Sequence, residues 1–525
     1  MKAITKKSFS LIVVFTFFVF QTSSFAQLSP AQIDSLVAHT MKTFKVAGAA
    51  VAVVKDGKVI HEKGYGVKSV QSQLPVDVYT NFQIASNSKA FTAAALAILM
   101  DEGKLSWKDK VKKYIPEFKM YNDYVTENFM IEDLLCHRSG LGLGVGDLMF
   151  FPDGANFTIQ DVVSSFQYFK PTSAFRTQFD YDNLLYFVAG EVIARISGMS
   201  WEQFVTTKIL QPLQMNHSFT SLTEMKDKSN LAQPHSTLSA DGAIKPIALF
   251  NDMISGAPGG ILSNVDDMSK WVIAQLNKGK YGDKSEKQLF SPARQKEMWT
   301  IHTVTPANAW RYNTHFSGYG LGWFLQDLKG NLNVSHTGGL PGMLSKVNMI
   351  PDLNLGIIIL TNTENGGAAL FSVVNNTIVD SYLGMEKMDW AKLYASNLQS
   401  GETSADSVTK KVWATVEAAK KTKIDAANFM GVYQDNWFGK VEIFMKGNQL
   451  WFRSYRSPRL NGPMYFYKAN TFAIKWEYQD MPCDAFALFT LDEEGKAQGI
   501  KMKAISPLTD FSFDFHDLDF HRVEK

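Results

Sequence analysis

The pattern of apolar and polar positions near the start of the chain predicts a helix followed by two paired strands. A Ser-Pro pair at 29–30 precedes a helical pattern that runs to about residue 45, with the serine as N-cap and the proline at the first helical position. The apolar run at 48–54 predicts a buried strand, and the turn signal Asp56-Gly57 joins it to a returning strand at 58–65. These elements indicate a fold that mixes helices and strands.

A second helix is predicted by the apolar run at 93–100, and it ends at Gly103, a suitable residue after a helix C-terminus. Ser86 and Lys89 lie at its start, three residues apart, so they share one face. A hydroxyl at a helix N-terminus lies where a developing oxyanion is stabilised, and burial would favour the neutral, basic form of the lysine. Taken alone, the pair is more typical of a capping serine beside a surface lysine, so the spacing by itself is weak evidence for catalysis.

Two further segments carry candidate site residues. The glycines at 142, 144 and 146 follow the short helix predicted within 131–141 rather than a strand, so we interpret them as a flexible loop and not as a phosphate cradle. Tyr181 and Asn183 precede a helix predicted at 184–196. Their side chains can both point into a cleft, or the segment can be an ordinary turn capped by Asp and Asn.

The strand predicted at 332–336 runs into Thr337-Gly338-Gly339, and strands at 346–350 and 355–360 follow it. A helix, two strands, a large helical insertion and three strands suggest an antiparallel sheet whose first and last elements meet. The predicted fold class is therefore α+β, with helices on both faces of the sheet and a helical region beside it.

The rest of the chain changes character twice. Residues 386–426 are polar and helical without a strong apolar face, which predicts a linker, and short alternating runs separated by turns follow from 429 onwards. These runs predict an all-β domain at 427–525, a small barrel or sandwich whose aromatic residues form its core. We expect a main domain at 27–385 with a core of its own, so that a chain ending near Ala426 would stay folded and active.

The N-terminal segment has the pattern of a secretory signal peptide at 1–26. Three lysines precede an apolar run at 9–20, and Ser24-Phe25-Ala26 provides a small-x-small cleavage site. The run is shorter than the roughly 20 apolar residues that span a bilayer. We therefore expect an exported protein, in the bacterial periplasm or secreted, with no stable membrane span after cleavage.

Composition narrows the class of protein. The 525 residues are 45% hydrophobic and 20% charged, with a formal net charge of +2. These values are typical of a soluble globular protein of two or three domains, and they give no basic excess for binding nucleic acid. Cys136 and Cys483 are far apart and predict no disulfide. Without a His-Glu-x-x-His or Cys-x-x-Cys pattern, we expect no metal or other cofactor.

Three stretches occur in a fixed order: Ser86-x-x-Lys89, Tyr181-x-Asn183 and His336-Thr337-Gly338-Gly339. Together they resemble the penicilloyl-serine hydrolases, a family that includes class C β-lactamases, DD-peptidases and other penicillin-binding proteins, and related esterases. The stretch at 135–141, Leu-Cys-His-Arg-Ser-Gly-Leu, is similar to another of its motifs. The resemblance covers about residues 28–383, and the C-terminal domain resembles an accessory β domain often appended to this family.

The resemblance implies a role for each residue. Ser86 would be the nucleophile, Lys89 would help to take its proton, and Tyr181 would complete the relay to the leaving group. Which of the two is the main base stays open. Substrate binding would fall to Asn183, His336, Thr337 and Gly338. The backbone N–H groups of Ser86 and Gly339 would form the oxyanion hole.

His336 stands where the family usually has lysine. Lysine keeps a permanent charge suited to a substrate carboxylate, whereas imidazole, with a reference pKa of about 6.5, changes charge within the working pH range. We therefore expect weak recognition of carboxylates that improves as the pH falls. Alternatively, His336 only holds its strand through hydrogen bonds.

The sequence thus predicts an exported serine hydrolase that acts through an acyl-enzyme. Its substrate would be a small molecule or peptide with an ester or amide bond, including D-amino-acid and β-lactam-like compounds. A class C-like β-lactamase and a catalytically silent penicillin-binding or peptide-sensing module are the alternatives. The sequence leaves the oligomeric state open.

Overall fold

A computed structural model describes residues 27–237, 242–251 and 254–523, which form a helix-flanked antiparallel sheet and a closed barrel. The predicted signal peptide lies outside the described residues. Within these ranges, no helix combines the length and apolar character that crossing a bilayer requires.

Ten helices of the α type lie in the described ranges, and local signals set the ends of several. The helix α1 begins as predicted, because the Ser29 side chain accepts a hydrogen bond from the Gln32 N–H and Pro30 follows it. The helix α2 ends shortly before Gly103, which has a φ of +72°. The helices are α1 (Pro30–Phe44), α2 (Ser88–Asp101), α3 (Asp123–Asn128), α4 (Ile159–Ser165), α5 (Leu184–Ser197), α6 (Trp201–Val205), α7 (Val265–Leu276), α8 (Pro292–Met298), α9 (Gly366–Tyr382) and α10 (Trp390–Ala419).

The large sheet has the strand order β2-β1-β14-β13-β12-β11-β10-β9, with every pair antiparallel. Strand β14 pairs with β1, which places Ile359 opposite Val51 and joins the two ends of the domain as predicted. The strands are β1 (Gly48–Lys55), β2 (Lys58–Gly66), β3 (Phe82–Gln83), β4 (His235–Ser236), β5 (Lys245–Pro246), β6 (Leu262–Ser263), β7 (Lys280–Tyr281), β8 (Lys287–Gln288), β9 (Thr303–Val304), β10 (Ser317–Tyr319), β11 (Phe324–Leu328), β12 (Asn331–Leu340), β13 (Met343–Ile350) and β14 (Leu355–Thr361).

Both faces of the sheet are buried, which explains the uninterrupted apolar run of β1. Its residues alternate between two cores: Val51 and Val53 pack with α1 and α9, whereas Ala50 and Ala52 face the core that contains α2, α5 and α7. The α+β prediction, with helices on both faces, is confirmed.

The C-terminal domain is an eight-stranded barrel of sequentially paired strands, closed by pairing of the first strand with the last. Buried aromatic residues such as Tyr433, Phe472 and Trp476 belong to its core. The strands are β15 (Gly431–Asp435), β16 (Gly439–Lys446), β17 (Gln449–Ser454), β18 (Asn461–Lys468), β19 (Thr471–Ile474), β20 (Ala485–Leu491), β21 (Ala497–Ala504) and β22 (Asp519–Val523).

The segment predicted to be a linker contains the 30-residue helix α10, which is packed at both ends. At its start, Trp390 is buried in the core beneath α9. Near its end, Val412 and Val416 pack against Ala473 and Ile505 of the barrel. The helix therefore connects the two domains as a packed element.

The barrel also packs directly on the sheet domain. The ring centroids of Phe151 and Phe513 lie 5.1 Å apart, and the Arg456 guanidinium lies 3.9 Å from the ring centroid of Phe157 and 2.8 Å from the Asp161 carboxylate. One continuous apolar core includes residues of both domains. Barrel residues therefore extend this core, whereas the buried residues of the core on the α1 and α9 face of the sheet all lie within 33–391. Truncation of the chain tests whether the main domain folds without the barrel.

Candidate active site

Ser86 lies in a single 3₁₀ turn, Ala85–Asn87, directly before α2. Ala85 has a φ of +49°, an unfavourable value for a residue with a side chain, so the surrounding structure must hold this turn. The Asn87 side-chain amide donates to Ser345 Oγ at 2.8 Å, and that hydroxyl donates to the Ile84 carbonyl at 2.7 Å. These bonds fix the Ser86 turn to strand β13.

Gly338 allows strand β12 to approach the same turn. A Cβ atom at this position would collide with the Ile84 carbonyl oxygen, so only glycine fits. Gly339, by contrast, is exposed at the cleft, and a Cβ atom there would only touch Leu344 at 3.4 Å. Gly338 thus lies beneath the cleft, where it positions the strand, and not among the residues that line it.

The Lys89 amine lies at the centre of the site. Its Nζ is 3.0 Å from Ser86 Oγ, and it donates to Asn183 Oδ1 at 2.6 Å and to the Pro258 carbonyl at 3.0 Å. Two of these three neighbours can only accept hydrogen bonds. A neutral amine uses both of its N–H groups on them, which leaves its lone pair for the hydroxyl of Ser86.

Burial also favours the neutral form of this amine. Lys89 is fully buried, and this burial lowers its pKa to about 7, although the nearby carboxyl groups of Asp147 and Asp182 oppose the shift. At neutral pH a substantial fraction of Lys89 is therefore able to accept a proton.

A chain of hydrogen bonds fixes the orientation of the Asn183 amide. Its Nδ2 donates to Asp147 Oδ2 at 2.8 Å, and Ser512 Oγ of the C-terminal domain donates to the same oxygen at 2.8 Å. The amide oxygen of Asn183 consequently faces Lys89. The sequence did not reveal Asp147 or Ser512 as site residues, because neither lies in a local motif and they are 365 positions apart.

Tyr181 is packed between several rings. Its ring centroid lies 4.2 Å from that of His137 and 5.8 Å from that of Phe511, and the Lys89 amine is 4.8 Å from it. Burial raises the pKa of the Tyr181 phenol well above its ordinary value of 10, and an interaction with Ser86 offsets part of the rise. Tyr181 is thus a neutral phenol throughout the working pH range.

The His336 ring is buried, with 2% of its surface exposed, and both of its nitrogens are engaged. Nδ1 lies 2.5 Å from the Thr337 carbonyl, which can only accept, so this nitrogen carries the proton. Nε2 therefore accepts from the Tyr319 hydroxyl at 2.8 Å. Burial, together with the nearby Lys89 charge, lowers the pKa of His336 to about 3. The expectation that this ring changes charge in the working pH range is wrong.

We expect the His336 ring resonances to stay constant between pH 5.5 and 8. The ring is neutral throughout this range, because its pKa lies near 3. Two-dimensional NMR of histidine-labelled protein measures this, with His336→Gln used to assign the signal. A titration midpoint near the reference value of about 6.5 would restore the prediction made from the sequence.

These groups surround a cavity of about 360 Å³. Of the residues proposed from the sequence, its lining includes Ser86, Tyr181, Asn183, His336, Thr337 and Gly339. Lys89 lies beneath this lining, in contact with Ser86. The structure therefore brings the three sequence motifs together around one cavity.

The barrel contributes to the same cavity through Met481 and the segment Asp510-Phe511-Ser512. This segment approaches the glycine loop so closely that a Cβ atom on Gly144 would lie 2.6 Å from the Phe511 carbonyl. The next acidic residue, Asp514, accepts from the Gly146 N–H at 2.7 Å. The glycine loop thus serves as the docking point of the C-terminal domain.

A family model described as Beta-lactamase matches residues 33–372. The chain belongs to this family. A second model, a domain of unknown function (DUF3471), matches residues 417–522, which include the barrel. The β-lactamase-family part of the chain has the fold of serine hydrolases that form acyl-enzymes.

Two curated relatives are similar to this β-lactamase-family chain. The unguisins hydrolase ungD' of Aspergillus campestris is 30% identical over 371 residues, which cover 68% of this chain and 67% of that protein. Protein flp of Staphylococcus aureus (strain MW2) is 30% identical over 341 residues, 64% of each chain. The chain therefore spans about two thirds of the length of these relatives.

Solved structures share the fold. The octameric penicillin-binding protein homologue from Pyrococcus abyssi aligns with a TM-score of 0.59 and 21% identity, over 94% of this chain and 100% of that one. A class C β-lactamase aligns with a TM-score of 0.53 and 21% identity, over 68% of this chain and 96% of that one. The first alignment extends over the barrel as well as the sheet domain.

Proposed function

We propose that the chain is a serine hydrolase in which Ser86 attacks an ester or amide carbonyl. The Ser86 hydroxyl gives its proton to the Lys89 amine while Oγ bonds to the carbonyl carbon. The leaving group then departs with a proton, and water releases the acyl group from Ser86. The observation that carries this proposal is the geometry of Lys89: two carbonyl oxygens occupy its N–H groups, and Ser86 Oγ lies 3.0 Å from its nitrogen.

Lys89, rather than Tyr181, is the main base in this mechanism. Its pKa is lowered to about 7, whereas the pKa of the Tyr181 phenol is raised, so little phenolate is available to accept a proton. Tyr181 remains a neutral donor that passes a proton towards the leaving group. Asn183 positions the base, since its amide oxygen is bonded to Lys89.

The backbone N–H groups of Ser86 and Gly339 form the oxyanion hole in this proposal. The close contact of Gly338 with Ile84 supports it, because that contact places β12 beside the Ser86 turn. Donors held in this way stabilise the tetrahedral intermediate without reorganising.

The residues that line the cleft favour substrates without a carboxylate group. Among the described residues that line it, none is Lys or Arg, and His336 is neutral. We therefore propose esters and amides without a carboxylate near the scissile bond, in preference to cephalosporins or peptide C-termini. We also propose that the chain is exported, on the basis of the predicted signal peptide alone.

Labelling with a fluorophosphonate, combined with turnover assays, tests the proposed activity. We expect one covalent adduct on Ser86, hydrolysis of p-nitrophenyl esters and weaker hydrolysis of nitrocefin. A catalytically silent binding module would form no adduct, or one that never turns over.

Lys89→Met and Tyr181→Phe should each lower kcat/KM on a p-nitrophenyl ester by about 10²- to 10⁴-fold, the usual range for general acid–base groups. In the wild type, kcat/KM should rise with pH through about 7 as the Lys89 ammonium loses its proton. Tyr181→Phe should keep this rise and Lys89→Met should lose it. Steady-state kinetics from pH 5.5 to 9 measure both effects.

The double variant provides the control for a shared proton path. Its loss should be smaller than the product of the two single losses, because residues that act as a unit are not additive. Losses that simply multiply, or a pH rise that persists in Lys89→Met, would contradict the assignment.

A further inference from the structure

Two carboxylates from different domains line the cavity that contains Ser86. Glu364 lies between β14 and α9, and Asp510 lies between β21 and β22 of the barrel. Both are largely enclosed by protein yet keep partial exposure. Each is held by a backbone group: Glu364 Oε2 accepts from the Gly342 N–H at 2.5 Å, and Asp510 Oδ1 accepts from the Ser512 N–H at 2.9 Å.

No protein cation balances these two groups within the described ranges. Neither carboxylate takes part in an ion pair there, and no cation is among the groups that shift the pKa of either one. Burial raises the pKa of Glu364 to about 7, the Gly342 bond opposes the shift, and the charge of Asp510 adds to it. The two carboxylates are thus close enough to repel each other, and a cation placed between them would be stabilised.

The position of Asp510 is fixed by the contacts of its neighbours. Ser512 bonds to Asp147, and Phe511 packs edge-on against Tyr181 with ring centroids 5.8 Å apart. The barrel therefore holds Asp510 at the cavity without an ordering step on binding. A substrate group bound there would lie in the same cleft as the proposed nucleophile.

We propose that Glu364 and Asp510 bind an ammonium group of the substrate, an inference that rests on the proposed acyl-enzyme function. The preferred substrates are then aminoacyl esters or amides with a free amine. An ammonium offers three N–H donors, which suits two carboxylates that face one cavity. The proposal makes the C-terminal domain a determinant of substrate specificity.

Pairs of p-nitroanilides that differ only in an ammonium and a methyl group test this proposal. The short pair is the alanine anilide, in both enantiomers, and the isobutyryl anilide; the long pair is the 6-aminohexanoyl and heptanoyl anilides. At pH 7.5 the wild type should prefer the amine in at least one pair by about tenfold to a hundredfold, the range for a hydrogen bond to a charged group.

Glu364→Gln and Asp510→Asn should each lower hydrolysis of the amine anilide far more than hydrolysis of its uncharged partner, which removes most of this preference. Both substitutions keep the acceptor oxygen that the backbone N–H group uses. Glu493→Gln is the matched control, since it removes one negative charge from an exposed position on the barrel. It should keep the full preference.

Two results would overturn the proposal: no preference for the amine in either pair, or a preference that survives in both carboxylate variants. Ser86→Ala separates this failure from failure of the proposed function. If hydrolysis of the uncharged anilides requires Ser86, the acyl-enzyme function stands whatever the preference. If no anilide or ester is hydrolysed, or if hydrolysis persists without Ser86, the proposed function fails, and this proposal fails with it.

Discussion

Ser86→Ala should abolish covalent labelling and reduce turnover of p-nitrophenyl esters by about 10⁶-fold, the order of magnitude for loss of a serine nucleophile. The Ser86 hydroxyl bonds to Lys89 and interacts with the Tyr181 phenol, and both partners line or adjoin the cavity. Its removal therefore leaves the core intact, and thermal unfolding should be nearly unchanged. Labelling, ester kinetics and calorimetry of the purified variant measure the three effects.

Ser88→Ala is the matched control for this result. The Ser88 hydroxyl is buried and accepts from the Ile261 N–H at 3.1 Å, away from the cavity. This variant should stay active and lose about 1 kcal/mol of stability, the usual contribution of one such hydrogen bond. If Ser88→Ala were inactive and Ser86→Ala active, the nucleophile would be wrongly assigned.

The sequence predicted those site residues that lie in short local motifs. Ser86 and Lys89 are one helical turn apart, so their proximity follows from helix geometry alone. Asp147, Glu364 and Asp510 could not be found in this way. They reach the cavity through long-range packing, and their distance from the motifs along the sequence does not predict that they meet there.

The hydrogen-bond partners of the His336 ring could not be predicted from the sequence either. The motif predicted its strand correctly but not that Tyr319 and the Thr337 carbonyl engage both ring nitrogens. A pKa depends on burial and on partners, and neither follows from the residue type. The prediction of a titrating ring therefore failed although the strand was right.

A chain that ends near Ala426 should lose almost all ester hydrolysis and most of its soluble yield. Truncation exposes the face of the sheet domain on which Phe513 and Trp437 pack, and it removes Ser512 from the bonds that orient Asn183. Soluble yield, size-exclusion chromatography and ester kinetics measure the result. A soluble, monodisperse truncated chain with near wild-type turnover would show that the sheet domain folds and works alone.

Phe513→Ala in the full chain tests the same interface without removing the barrel. Phe513 is 3% exposed, and deletion of such a side chain costs about 3–5 kcal/mol. Leu488→Ala is the control, because Leu488 is 44% exposed on the outer face of the barrel and should change stability by less than about 0.5 kcal/mol. Equal unfolding midpoints for the two variants would mean that the interface adds little to stability.

The polar composition of residues 386–426 predicted a helix correctly but did not reveal its packing. The buried positions of α10 include Trp390, Ala405, Val412 and Val416, which are too sparse to form an apolar stripe in the sequence. Its two ends contact different cores, so no short stretch of the sequence shows the apolar pattern of a packed helix. The C-terminal barrel, by contrast, was predictable from its repeated short alternating runs.

Because α10 is packed at both ends, its length sets the distance between the sheet domain and the barrel. A helix of 30 residues spans about 45 Å, and each residue inserted or removed shifts one end by about 1.5 Å and turns it by about 100°. A flexible connection would absorb such changes, but here they would pull the segment that carries Asp510 away from the cavity. Relatives that combine these two domains in the same arrangement can thus vary the exposed positions of this helix, while the distance between Ser86 and the barrel constrains its number of residues.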